Sequence, residues 1–325
     1  MLAGMFDAAG LRVMRAIAEH GSFTAAAHSL GYTQPAVSQM VRRLEQRTGT
    51  ALVERSGRTV RLTEAGRLLA HRAAEILEMI EKAEAEVSAI AGLQAGRVRL
   101  MAFPSSSATL VPRALARLRA SHPAVTVQFS EAEPPESLAA LRNGDVDLAV
   151  AFSYEGNDPG RGEDDLSGLD VLDVLTDPVM LVLPRDHELG AQEAVDLRDL
   201  EAEQWIAGCP RCRGHLLTLA HRAGFDPEVA FETEDYVAVL GLVAAGLGVA
   251  LVPHLILTTV SHPDVVIRPV VPPSRRVVQV ITTPDLRRVP AVSAALEALS
   301  SSAAELRGSS CDHPACDEDD GDLSV

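Results

Sequence analysis

Aromatic residues are scarce in this chain, at 3% of 325 residues, so its cores must be built from Ala, Val and Leu. Lysine is almost absent: Lys82 is the only one, and arginine carries the basic charge. Four cysteines are too few for a disulfide scaffold at this length. No apolar run reaches about 18 residues free of breakers, the length a membrane helix needs. The nearest candidate, Val237–Val252, holds three glycines and is followed by Pro253, so no membrane span is read. No early stretch combines a basic start, an apolar run and a small-residue cleavage site. A cytoplasmic protein is therefore expected. There is no Gly-x-Ser-x-Gly elbow and no Walker loop, so neither reading of the chain as an enzyme finds support.

What is present is enough apolar material, at 47%, for two or three domains in a chain of this length. The formal net charge is -16, which taken alone argues against nucleic acid. Its distribution argues otherwise. Residues 1–72 hold ten arginines against five acids, and the remainder holds 19 basic against 40 acidic residues. A small basic module on an acidic body can still bind a phosphate backbone locally.

The basic segment is helical in pattern. Leu11, Met14, Ile17 and Ala18 share one face of a helix over Ala8–Ala18, closed by His20-Gly21. Ser22 or Thr24 can cap a second, short helix that Gly31 breaks. Thr33 can cap a third, with Pro35 in its first turn, running to about Arg47 before Gly49. Val53 and Val60 flank Ser56-Gly57-Arg58, which reads as a two-stranded wing with a basic tip. From about Glu64 to Ala91 a long helix carries apolar residues in two seven-residue series: Leu69, Ile76, Ala83 and Ile90, and Ala73, Ile80 and Val87. Such an a/d seam marks either a dimerisation helix or a helix packed on its own domain; dimerisation is the expectation.

After a linker at Gly92–Gly96 the texture becomes α/β. Strands are expected at Val98–Phe103, Val125–Phe129, Asp147–Phe152, Val179–Leu183, Glu228–Phe231, Val249–Leu251, Val265–Pro269 and Val277–Ile281. Helices are expected at Thr109–Leu118, Pro135–Asn143, Leu216–Ala223, Asp235–Ala245 and Val289–Leu299. Gly156–Leu169 reads as a loop. Alternating strands and helices imply parallel sheets with crossovers, here in two rounds that suggest two lobes around a cleft. Beyond residue 300 an acidic tail, 301–325, is expected to be disordered.

The order Ala25–Leu30, Gly31, Thr33–Arg47 has the spacing of a helix-turn-helix. Gln34, Ser38 and Gln39 lie near the start of its second helix, where polar groups reach base edges and phosphates. Arg42 and Arg43 follow one turn on, and Arg55, Arg58 and Arg61 flank the wing, where cations suit phosphates or the minor groove. Periodicity alone also permits a small structural bundle with incidental arginines.

A longer series of residues resembles the LysR-type transcriptional regulator family: Ser22-Phe23-Thr24-Ala25-Ala26-Ala27, Leu30, Thr33-Gln34-Pro35-Ala36-Val37-Ser38-Gln39, Leu44-Glu45, Gly49, Leu52, Arg55, and Leu62-Thr63-Glu64-Ala65-Gly66. It covers residues 6–68 almost continuously. Val53 departs from the family's usual phenylalanine, and Thr33 stands for its usual serine. The resemblance implies a winged helix-turn-helix over 1–65 and a dimerising linker helix over 64–92. It further implies a two-lobed α/β effector domain, like periplasmic solute-binding proteins, over 97–300. Lobe one is expected at about 97–170 and 268–300, and lobe two at about 171–267. The implied function is sequence-specific binding of promoter DNA as a homodimer or homotetramer, controlled by a small-molecule effector.

The resemblance places Thr33, Gln34, Pro35, Ser38, Gln39, Arg42, Arg55 and Arg58 at the DNA. It places the effector near Ser105 and Ser106, with Glu131, Ser153, Cys209 and Asp235 as further pocket walls by strand-end logic. Serine hydroxyls at a helix start suit an anion, or merely cap the helix. Glu131 and Asp235 would instead favour a cationic group, so an amphoteric ligand would satisfy both. Cys209-Pro210-Arg211-Cys212 has the spacing of a metal or redox pair, and Cys311 and Cys316 flank His313 in the tail. Cysteines with no role beyond lining the pocket are the favoured reading, with no metal and no cofactor. A free-standing solute-binding protein would lack the first 90 residues. An architectural DNA protein would not need the α/β body.

Overall fold

The computed structural model describes residues 6–56, 59–154 and 165–310, and divides into two compact units, Met1–Ala89 and Ile90–Val325. In the first unit, α1 (Ala8–His20) is capped by Asp7, whose carboxylate accepts the Gly10 N–H at 2.7 Å. It stops at Gly21, where φ is 63°, a conformation that costs glycine little. Ser22, not Thr24, caps α2 (Phe23–Ser29). Thr33 caps α3 (Gln34–Thr48) by accepting the Ala36 N–H. The wing strands β1 (Val53–Ser56) and β2 (Thr59–Leu62) pair antiparallel. Val13, Met14, Ile17, Ala26, Val37, Val41, Leu44 and Leu52 form the core. Glu45 ties α3 to the wing by accepting the N–H groups of Leu52 and Val53 at 2.9 and 3.3 Å.

Helix α4 (Glu64–Ala91) starts against that core. A Cβ on Gly66 would stand 2.0 Å from the Leu52 carbonyl oxygen, so only glycine fits this approach. Leu69, Ala73 and Leu77 are buried in the first unit's core, and Ile76 packs against it. This corrects part of the expected dimer seam. Leu69 and Ala73 are consumed within their own unit, and Leu77, outside the expected seam, joins them. Further along, Ile80 is half-buried, and Ala83, Val87 and Ile90 are exposed. The uncovered apolar stripe is the second half of the seam.

In the second unit, β3 (Gly96–Ala102), α5 (Pro104–Ser107), α6 (Leu110–Ser121), β4 (Val125–Glu131), α7 (Pro134–Arg142) and β5 (Leu148–Tyr154) form the first α/β round. The long strand β6 (Asp170–Pro184) crosses to a second round. That round holds β7 (Val195–Asp196), β8 (Gln204–Ala207), α8 (Pro210–Ala223), β9 (Glu228–Glu232), α9 (Tyr236–Ala244), β10 (Ala250–Pro253) and α10 (His254–Leu257). The chain returns along β11 (Val265–Thr282) and closes with α11 (Pro290–Ser310). The main sheet has the order β10-β6-β11-β5-β3-β4. Its β4, β3 and β5 are parallel, whereas β11 runs antiparallel to both β5 and β6. The sheet is therefore mixed rather than parallel throughout.

Two long strands replace the shorter ones expected. Strand β6 begins at Asp170 rather than near Val179, and β11 joins the two segments read as separate strands. Their pairing locates the lobes. Asp170–Asp177 pairs with Arg276–Thr282 beside β5, and Met180–Pro184 pairs with Val265–Pro269 beside β10, with a register break between Pro269 and Ser274. Val174 and Leu175 accordingly pack in the first lobe's core, while Leu181 and Leu183 pack in the second's. The expected boundaries at 171 and 268 are corrected to the neighbourhood of Pro178 and the 270–273 segment. One strand pair serves both lobes, so composition does not change where the lobes do.

The expected limits of α8 and α11 also move. Helix α8 starts at Pro210, not Leu216. Helix α11 runs to Ser310, so residues 301–310 are helical, not tail. Ser302, Ala303 and Leu306 are buried there, continuing the stripe of Ala295, Ala298 and Leu299. Alanine and serine carry this packing, which hid it from a search for larger apolar residues. Residues 311–325, including Cys311, His313 and Cys316, lie outside the described residues, as do residues 155–164 of the expected loop.

Candidate nucleic-acid interface and effector site

On α3 the buried positions are Val37, Ser38, Val41 and Leu44. Pro35, Gln39, Arg42 and Gln46 recur at helical spacing on the opposite side and are all exposed, as are Thr33, Gln34 and Arg43. The N-terminus of the helix adds a positive dipole end to this face. Arg47 is committed to Asp7 at 3.0 Å, whereas Arg42 and Arg43 have no ion pair among the described residues. Ser38 is a correction: only 9% exposed, it faces the unit's interior, one position from Val37. Arg58 and the side chain of Arg55 lie outside the described residues.

The second unit holds a buried polar cluster. Three adjacent strands place Asp177, Arg276 and Tyr154 in one cross-strand row, Arg276 standing opposite both of the others. Arg276 is fully buried, and its Nε donates to Asp177 Oδ2 at 2.9 Å while Nη2 donates to Ser105 Oγ at 2.7 Å. Asp177 Oδ1 accepts the Leu255 N–H at 2.7 Å. The guanidinium lies over the rings of Phe103 and Phe152, at 5.0 and 4.7 Å from their centroids. Burial pushes the Asp177 carboxyl up and the Arg276 charge pulls it back. The pair is held by geometry that satisfies both carboxylate oxygens.

Around this row stand Cys209 and Cys212 at the start of α8, Glu133 before α7, and Tyr236 at the start of α9. The thiol sulfurs approach to 2.7 Å. His215 stacks on Tyr154, with centroids 3.7 Å apart and planes 3° apart, and its Nε2 meets Ser274 Oγ at 2.7 Å. Three buried side-chain atoms of this cluster, Arg276 Nη1, Glu133 Oε2 and Ser106 Oγ, have no hydrogen-bond partner among the described residues. Such atoms cost about 1–3 kcal/mol each when nothing meets them, which is how a ligand site differs from a finished core.

Of the expected effector residues, Ser105 belongs to this cluster through Arg276, Ser106 follows it, and Cys209 is in it. The others do not join it. Glu131 is exposed at the end of β4, and Glu133, two residues on, is the carboxyl that turns inward. Ser153 lies between Phe152 and Tyr154, whose side chains face the cluster, so alternation sends it to the opposite face of β5. Asp235 is exposed and caps α9 by accepting the Val237 N–H at 2.9 Å. The serines do not cap α5 either, whose N-cap is Phe103. Arg276, Asp177 and Tyr154 were missed because their meeting depends on register between strands far apart in sequence. The arginine pair Arg275-Arg276 inside a β-branched run was the available signal.

Two groups of the cluster titrate in opposite senses. Burial, then the charge of Cys212, raises the Glu133 carboxyl to about 7. Burial, then Arg222, lowers His215 to about 4. A raised acid makes the folded state bind the extra proton, so its contribution falls as pH rises from about 4.5 to 7. A lowered histidine does the reverse, and its contribution is lost as pH falls from about 6.5 to 4. The two slopes oppose each other between pH 4.5 and 6.5. Glu133→Gln should therefore leave a stability that rises with pH across that window, more steeply than in the parent. Denaturant titrations at several pH values check this; identical slopes would remove Glu133 from the buried set.

Comparison with known proteins fixes the family. Residues 9–67 match the bacterial regulatory helix-turn-helix protein, lysR family, and residues 91–304 match the LysR substrate binding domain. The chain belongs to the LysR family of transcriptional regulators. A probable RuBisCO transcriptional regulator of Trichormus variabilis is 31% identical over 247 residues, covering 74% of this chain and 72% of the relative. The probable regulator LrrA of Synechococcus elongatus is 29% identical over 303 residues, 91% of this chain and 97% of the relative. Among solved structures, full-length OxyR from Pseudomonas aeruginosa superposes with a TM-score of 0.75 at 20% identity, over 92% of this chain and 99% of that one. HinK, a LysR regulator from the same species, gives 0.64 at 25%, over 93% and 99%. CbnR in complex with its target DNA gives 0.55 at 24%, over 92% and 100%. This LysR protein is thus a DNA-binding transcriptional regulator with an effector-binding domain, not an enzyme. Among the described residues no helix is long and apolar enough to cross a membrane.

Proposed function

We propose that this regulator acts in the cytoplasm, reads a dyad-symmetric promoter site as a homodimer or homotetramer, and answers to a small acidic effector seated on Arg276. The observation that carries the DNA reading is the two-sided character of α3. Pro35, Gln39, Arg42 and Gln46 stand outward while Val37, Val41 and Leu44 hold the helix to its core. A rigid helix with amides at its start and cations one turn on fits a major groove. Ala83 and Val87 on α4 supply an uncovered apolar stripe for a second copy. In the second unit, Arg276 Nη1 offers a buried donor to an anion, and Glu133 Oε2 an acceptor for a donor on the same ligand. No cofactor enters this reading.

Selection from a random duplex pool with the full chain tests it. The recovered sites should converge on one inverted repeat with half-sites one helical turn or a multiple apart. Ala83→Asp combined with Val87→Asp should sediment as a monomer and recover no repeat, because charge would enter the dimer seam. Both positions are exposed in the single chain, so its fold is spared. A pool that never converges overturns base reading. A double variant sedimenting like the parent removes the α4 stripe from the interface.

A further inference from the structure

The Cys-x-x-Cys segment is a built site rather than two incidental thiols. Cys209 is the N-cap of α8, and its sulfur accepts the Cys212 N–H at 3.3 Å. The two sulfurs stand 2.7 Å apart, nearer than van der Waals contact between unbonded sulfurs. Cys209 is buried, at 3% exposure, whereas Cys212 is only partly covered. The sequence separation of three and the helix start together hold one sulfur over the other.

We propose that Cys209 and Cys212 are a reversible dithiol–disulfide couple, oxidised by small hydroperoxides, with Cys212 the attacking sulfur and Cys209 the resolving one. The surroundings favour this division. Cys212 is lowered to about 6, first by the hydrogen bond from Cys209, then by the Arg276 charge and the Tyr154 hydroxyl. Cys209 is pushed up by its bond to Cys212 and by burial, so it keeps its proton. Glu133 stands within hydrogen-bond reach of Cys209 and, at about 7, can take that proton. The enclosure also selects the oxidant. Attack on a bulky disulfide needs three sulfurs in line, an approach that the partly covered Cys212 leaves open only to small reagents such as a hydroperoxide or a small dithiol.

The chemistry closes on these residues. The Cys212 thiolate attacks one peroxide oxygen and the O–O bond breaks. The leaving oxygen takes a proton from solvent as alcohol or water, and Cys212 becomes a sulfenic acid. Cys209 passes its proton to Glu133 and attacks Cys212 Sγ. The S–O bond breaks, and hydroxide leaves with that proton as water. Two thiols have lost two electrons and two protons, and one peroxide has been reduced. An external dithiol reverses the step by exchange. If Arg276 also seats the effector, as proposed above, oxidation removes the thiolate beside it and alters the charge that the ligand meets.

The test uses the full chain with Cys311→Ser and Cys316→Ser, so that only this pair can react. After brief exposure to hydrogen peroxide, thiols are alkylated and the denatured protein is digested with trypsin. Cleavage after Arg211 separates the two cysteines, so a disulfide is read as two joined peptides that dithiothreitol parts. The joined pair is expected within single chains. Cys209→Ser should stop at a Cys212 sulfenic acid that dimedone labels, and Cys212→Ser should slow peroxide consumption by at least about tenfold. Glu133→Gln should slow closure of the disulfide without slowing the first attack. Full alkylation of both thiols after peroxide overturns the proposal. So does dimedone labelling of Cys209 in place of Cys212, or disulfide formation no faster in the folded chain than in urea. Binding of the effector enters none of these readouts, so failure here and failure of the effector reading are separable.

Discussion

Gln34→Ala is expected to weaken binding to the selected operator by about 1–3 kcal/mol and to leave binding to a scrambled duplex nearly unchanged. Gln34 is the first residue of α3, exposed, and next to the capping Thr33. Its amide has one donor and one acceptor at the spacing that adenine offers in the major groove. Nothing in the unit's core depends on it, so the variant should fold as the parent does. Arg42→Ala is the comparison. An exposed guanidinium about two turns further along suits a phosphate, which carries no sequence information. Its loss should weaken both duplexes alike and lower the salt slope by roughly one unit. A salt titration of each variant on both duplexes separates the two roles. Equal losses on both duplexes for Gln34→Ala would end its role as a base reader. An unchanged slope for Arg42→Ala would take it off the phosphate backbone.

The second large effect is on folding. Asp177→Asn should destabilise the second unit by about 3–5 kcal/mol, because it leaves the buried guanidinium of Arg276 without its counter-charge. The side chains of both residues are only 1% exposed, and they meet at 2.8 Å, so bulk water does not relieve the loss. Replacing both together, Asp177→Leu with Arg276→Met, removes the uncompensated charge and should cost much less than either single change. Trp205 is the chain's one tryptophan and is fully buried in the second lobe, so its fluorescence follows this unit in a urea titration. A single variant within about 1 kcal/mol of the parent would mean that Arg276 finds another partner.

The DNA-binding unit was open to reading because its determinants are local. The Asp7-capped helix, Gly21, Ser22, Gly31, Thr33-Gln34-Pro35 and Gly49 each act within about four residues of themselves, through caps and left-handed turns. The basic excess of the first 72 residues needs no fold to be counted. Even here the core decided two points. Ser38 follows the exposed Gln34–Pro35 pair in sequence yet faces inward, because the inner stripe of α3 takes in its position. The heptad series on α4 looked uniform, but its first half was claimed by the core beside Leu52. A periodic pattern states which residues share a face and not what covers that face.

The effector domain shows the opposite balance. Its strands and helices follow from β-branched runs and helical periodicity, and Cys209-Pro210-Arg211-Cys212 is visible as a motif without any structure. What composition and spacing determined was the order of elements and the basic module on an acidic body; the family came from the resemblance of residues 6–68 to known regulators. Only the tertiary structure brought Asp177, Arg276 and Tyr154 into one row across three strands, and set Glu133 rather than Glu131 beside the thiols. The physical reason is range. Caps, turns and periodicity are paid for within one or two helical turns, but cross-strand register is fixed by sheet pairing over about a hundred residues of chain. A charge such as Arg276 declares its role only once burial has removed its water.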